Sequence, residues 1–114
     1  PTLSWIRDIM RMVERTENLG RIFTTPELLQ LLQENDMWKR TSNSTAFQAA
    51  QLHFGKDLQK GFRLTGVEDR LEIDSWVLLR GRHMQTYDEG RHGHKEIATY
   101  TITRKPPVTV TSRA

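Results

Sequence analysis

Two stretches of this sequence are dense in side chains that grip phosphate. Residues 38–63 hold Lys39, Arg40, Lys56, Lys60 and Arg63 against one acid, Asp57. Residues 80–114 hold Arg80, Arg82, Arg91, Lys95, Arg104, Lys105 and Arg113 against Asp88, Glu89 and Glu96. The segments beside them lean the other way. Residues 1–37 carry more acids than bases, and residues 64–79 set Arg70 against Glu68, Asp69, Glu72 and Asp74. Over 114 residues the net charge is only +3, so its distribution says more than its total. Segregation of this kind can put one cationic face on a nearly neutral body, which is the footprint of a phosphate binder. The plainer reading is the ordinary unevenness of charge on a small domain.

Other chemistries have thinner support. His83, His92 and His94, with Asp88 or Glu89, have the types to ligate a transition metal. They fall in or beside a polar loop, which does not pre-organise ligands, so the expectation is no metal site and no cofactor. Glu68, Asp69, Glu72 and Asp74 are the carboxylates a nuclease would use, but no matching lysine pattern accompanies them; a solvated edge or an acidic patch for a partner explains them better. The sequence has no phosphate loop, no Gly-x-Gly-x-x-Gly, no Gly-x-Ser-x-Gly and no His-Glu-x-x-His, and it reads as a non-enzyme. With no cysteine, a thiolate metal site, a cysteine nucleophile and a disulfide scaffold are all excluded. No apolar run approaches the ~18 residues that span a bilayer, so no membrane role is expected.

The elements that must position these groups are legible from periodicity. Leu3, Ile6, Ile9, Met10 and Val13 recur at helical spacing, and the pattern carries a first helix toward Leu19, with Ser4 as cap and Gly20 as stop. Ile22-Phe23 suggest a brief extended segment. Thr25-Pro26-Glu27 then opens a second helix, ending at Asn35-Asp36. After a cap somewhere in Thr41–Ser44, the residues Phe47, Ala50, Phe54 and Leu58 make a core-facing stripe on a third helix, with Gly61 as its stop. Thr45, Ala49, Leu52, His53, Lys56 and Lys60 lie opposite. The period then shortens toward two: Phe62-Arg63-Leu64, Leu71–Leu79 and Ile97–Thr103 read as strands, with Ala98, Tyr100 and Ile102 as the apolar set of the last. Residues 85–95, polar and containing Gly90 and Gly93, read as a long hairpin loop. Residues 1–105 form one expected domain and 106–114 a loose tail.

Helix, short strand, helix, helix, strand, hairpin is the order of a winged helix, an α+β fold of three clustered helices and a small antiparallel sheet with a long wing hairpin. Thr24-Thr25-Pro26-Glu27-Leu28-Leu29 resembles the helix entry of such domains, and Leu58-Gln59-Lys60-Gly61-Phe62 is similar to the junction closing their recognition helix. The chain, over about residues 3–104, resembles the winged-helix domains appended to phage and plasmid primase–helicases. It departs from them in a long Asn35–Ser44 linker, in longer connections at Thr65–Arg70 and Gln85–Lys95, and in carrying no ATPase. The likeness therefore speaks for the winged helix more than for replication.

That resemblance implies double-stranded DNA, or another nucleic acid, as partner. The third helix, about 43–60, would lie in the major groove. Asn43, Thr45, Gln48 and His53 would meet base edges, and Lys56 and Lys60 phosphates. Lys39 and Arg40 would reach the flanking backbone. The wing, about 80–95, offers Arg80, Arg82, Arg91, His92, His94 and Lys95 for phosphate or a minor groove. The expected setting is transcription regulation or DNA replication in a phage, virus, plasmid or microbe, in a cytoplasm or nucleus. The alternative is a protein-binding winged helix, a small inhibitor or assembly factor, using the acidic first helix and an exposed Trp38 toward a protein partner or a second copy.

Overall fold

The computed structural model describes residues 1–86 and 94–106. Helix α1 spans Thr2–Arg15 and buries Ile6, Ile9, Met10, Met12 and Val13 on one side. It starts at Pro1, with no side-chain cap, and ends at Thr16, well before Gly20. The cause is local: Thr16 Oγ1 donates to the Met12 and Val13 carbonyls at 2.8 and 3.2 Å, and Glu17 turns into the left-handed region at φ 62°.

Strand β1 is Ile22–Thr24, and helix α2, Thr25–Glu34, follows it directly. The cap is Thr24, one residue before the expected Thr25. Thr24 Oγ1 accepts from the Glu27 amide at 3.4 Å, and Glu27 Oε1 accepts from the Thr24 amide at 2.8 Å. This reciprocal pair satisfies two amides that the first turn would otherwise leave without partners.

Helix α3 spans Ser44–Thr65. Asn43 Oδ1 caps it, accepting from the Ala46 amide at 2.8 Å. Gly61 does not end it. The helix runs on to Gly66, whose φ of 72° provides the left-handed stop. Gly61 instead lies against α1, where a Cβ would run into Ile6 Cδ1. The glycine permits close packing of two helices. Phe62, expected in a strand, is buried as part of α3.

Strands β2 (Arg70–Ile73), β3 (Trp76–Thr86) and β4 (His94–Arg104) join β1 in one antiparallel sheet of order β1-β4-β3-β2. Leu78 pairs with Ile102, Arg80 with Tyr100 and Arg82 with Ala98. Alternation therefore sends Leu78, Arg80 and Arg82 to one face with Ala98, Tyr100 and Ile102. That is the helix-facing side: Leu71, Leu78, Tyr100 and Ile102 share a core with Ile6, Leu28, Leu32, Phe54 and Leu58. Ion pairs at the rim tie α1 to the sheet, Arg7 to Asp74 at 3.0 Å and Arg104 Nη2 to Glu14 Oε1 at 2.9 Å. The result is an α+β arrangement of three helices and four antiparallel strands, compatible with the expected winged helix. No helix among the described residues is long and apolar enough to cross a membrane.

Candidate nucleic-acid interface

The continuation of α3 past Gly61 decides where its charges go. Arg63 stays on the helix, seven residues after Lys56 and so on nearly the same side, with Gln59 between them. This side lies opposite the buried Phe54 and Leu58 and leans toward the sheet. Gln59, Phe62 and Arg63 line a cavity of about 340 Å³ with Gly66, Val67, Glu68 and Asp69 of the following loop and Arg80 and Arg82 of β3. The two basic stretches of the sequence meet here, one from a helix and one from a strand.

The three arginines are in different states. Arg63 is exposed. Arg82 pairs with Glu96 across the β3–β4 ladder, Nη1 to Oε1 at 3.3 Å. Arg80 is half-buried; its backbone amide donates to the Asp69 carbonyl at 3.0 Å, while its side-chain Nε is buried without a hydrogen-bond partner. Among the described residues neither Arg63 nor Arg80 has a carboxylate within ion-pair distance. Beside Arg80 on the same rung of the sheet is Tyr100. Burial pushes its hydroxyl pKa up, and the Arg80 charge and hydrogen bonding with Thr25 and Arg80 pull against that shift.

The other flank of α3 is organised differently. His53 Nε2 and Lys60 Nζ each lie 3.9 Å from the Asp57 carboxylate. Trp38 stands edge-on to Phe54 at 5.5 Å and to His53 at 6.0 Å between ring centroids. Trp5 adds a T-shaped contact with Phe54 at 5.8 Å. Trp38, expected as an exposed anchor, is half-buried in this cluster. The surrounding loop presents polar residues, but the indole turns inward onto α3, which is why the local sequence misleads.

The remaining expected site residues are scattered. Arg40 sits with α2: it lies 3.9 Å from Asp36 and lines a recess with Gln30, Gln33, Glu34 and Thr41. The Lys39 carbonyl accepts from the nearly buried Gln33 amide at 3.0 Å, fixing the loop to α2. Asn43 has its oxygen engaged as the α3 cap. Thr45, Gln48 and Lys56 are exposed on α3. His94 and Lys95 pair through their backbones with Thr86 and Gln85, extending the hairpin. Arg91 and His92 lie outside the described residues, as do residues 107–114 of the expected tail. No cluster of three His, Asp or Glu side chains able to hold a metal occurs among the described residues.

Arg63 is the residue that sequence reasoning left off the site. The signal was present, since Leu58 to Phe62 continues the core stripe by a further four residues. Reading Gly61 as a stop cut that stripe short. Comparisons with protein-family models, curated proteins and solved structures found no match for this chain.

Proposed function

We propose that this chain is a winged-helix module that binds double-stranded DNA through α3 and the β3–β4 hairpin. It acts as a binding module in transcription regulation or DNA replication, with no catalytic step of its own. The observation that carries the reading is the convergence of Gln59 and Arg63 of α3 with Arg80 and Arg82 of β3 along one groove. Lys56 extends that basic line along the helix. Segregated bases on two elements that meet at one surface favour a polyanion over a small ligand. The protein-partner reading rests on the acidic first helix and Trp38, and the packing of Trp38 against Phe54 leaves it less indole to offer a partner.

The test is a titration with random duplex, single-stranded DNA and RNA over a range of salt. A protein contacting about four phosphates loses affinity with a log–log salt slope of roughly −3.6 on duplex. Lys56→Glu combined with Arg63→Glu abolishes duplex retention while the circular dichroism of the fold is unchanged. Duplex binding that persists in that double variant, or that ignores salt, rules the reading out.

A further inference from the structure

We propose that the cavity beneath the C-terminal half of α3 is an oxyanion seat that takes a phosphate group, with Arg80 as its anchor. The argument begins with the state of Arg80 and not with the number of bases nearby. A guanidinium keeps its charge at every accessible pH and carries five donors. Withdrawn from water, it needs an acid or a full set of acceptors. Arg80 is half-buried beside Tyr100, lines the cavity with Phe62, and has its Nε wholly buried without a partner. Among the described residues no carboxylate pairs with it. The sheet holds it there firmly, since it sits on the rung Phe23–Tyr100–Arg80 shared by three strands. Its one side-chain hydrogen bond among the described residues is to the Tyr100 hydroxyl, and a guanidinium held in place without a carboxylate, lining a cavity of about 340 Å³, has donors left for an acceptor from outside the chain.

The rest of the lining defines what that acceptor is. Arg63 reaches in from α3 and Gln59 adds an amide, while Arg82 is already held by Glu96. Two guanidinium groups with fork geometry match the oxygens of a tetrahedral oxyanion. Glu68 and Asp69 also line the cavity, and both are exposed. Their repulsion favours a singly charged group, such as a phosphodiester, over a more highly charged one. The backbone phosphate of nucleic acid has that charge. This choice of source rests on the proposed function, whereas the chemistry of the seat does not.

The experiment follows the Nε–Hε signals of the arginines by NMR, with inorganic phosphate and then random duplex as probes, in the wild type and in Arg80→Met. Inorganic phosphate moves the Arg80 signal and raises the melting temperature of the wild type but not of the variant. Duplex moves the same signal. Arg80→Met lowers duplex affinity about tenfold or more and makes the salt slope shallower by about one. In phosphate-free buffer Arg80→Met melts higher than the wild type, because it removes a half-buried charge that no carboxylate pairs. Glu68→Gln with Asp69→Asn, which leaves Arg80 untouched, tightens phosphate binding several-fold. A variant that melts lower and responds to phosphate as the wild type does overturns the seat and makes Arg80 a structural partner of Tyr100. Duplex binding with an unmoved Arg80 signal also overturns it and leaves the proposed function standing. Phosphate binding at Arg80 in a protein that binds no nucleic acid keeps the seat and removes the proposed function.

Discussion

The two flanks of α3 carry similar residue types and spend them differently. Toward α1 the His53 imidazole and the Lys60 ammonium each lie 3.9 Å from the Asp57 carboxylate, above the aromatic cluster of Trp5, Trp38 and Phe54. Toward the sheet, Arg63 and Arg80 line a cavity with Glu68 and Asp69, yet among the described residues neither arginine has a carboxylate within ion-pair distance. A local acid and aromatic cover make the first flank part of the fold's support. The second is left with charge to offer. Counting bases along the helix does not separate Lys60 from Arg63; asking which neighbour has already claimed each charge does.

Five substitutions break or sharpen that contrast. Phe54→Ala empties the centre of the aromatic flank, where the ring is fully buried, and lowers stability by about 3–5 kcal/mol in a denaturant titration. The protein that remains folded still binds duplex as before; loss of duplex affinity in the folded fraction would merge the two flanks into one site. Gly61→Ala forces a methyl group against Ile6 and lowers stability by about 1–3 kcal/mol, because α1 cannot retreat without opening the core. Arg63→Ala weakens duplex binding about tenfold, or about 1.4 kcal/mol. Lys60→Ala, on the supported flank, costs less, and the opposite order would reverse the assignment of the two sides. Thr24→Ala removes the α2 cap and lowers stability by about 1 kcal/mol with no effect on duplex affinity.

The same cap has a pH signature. The Thr24 amide and hydroxyl hold the Glu27 carboxyl below its ordinary value of 4.5. A lowered carboxylate pKa contributes stability that is present above about pH 4.5 and lost as pH falls through the depressed value. The effect is small, since Glu27 is exposed. It appears as a shallow acid-side slope in melting temperature that Glu27→Gln removes.

Much of the fold was legible in the sequence because one residue class dominated each element. Ile6, Ile9, Met10 and Val13 at helical spacing could only be a buried stripe, and Tyr100 and Ile102 at spacing two could only share a sheet face. The boundaries were less legible, because a glycine has two uses. By type Gly61 qualifies for its backbone freedom, yet it serves for its missing side chain, and only the position of Ile6 distinguishes the two. A helix stopped at Gly61 would leave Arg63 off α3. The cap of α2 slipped by one residue because Thr24 and Thr25 both qualify by type, and the choice depends on where the Glu27 carboxylate reaches. Trp38 is hard to place for a related reason: neighbouring polarity describes the loop, not the direction an indole takes within it. The convergence of Arg63 and Arg80 on one cavity arises from the tertiary arrangement and has no local signal at all.

Strand β4 is bonded along both edges where Thr99, Tyr100 and Thr101 meet β1 on one side and β3 on the other. Since β1 passes into α2 with no residue between them, parting β1 from β4 must also drag the start of α2 away. In heavy water the amides of these three residues therefore exchange last and at the rate of global unfolding, while the outer strand β2 exchanges through cheaper partial openings.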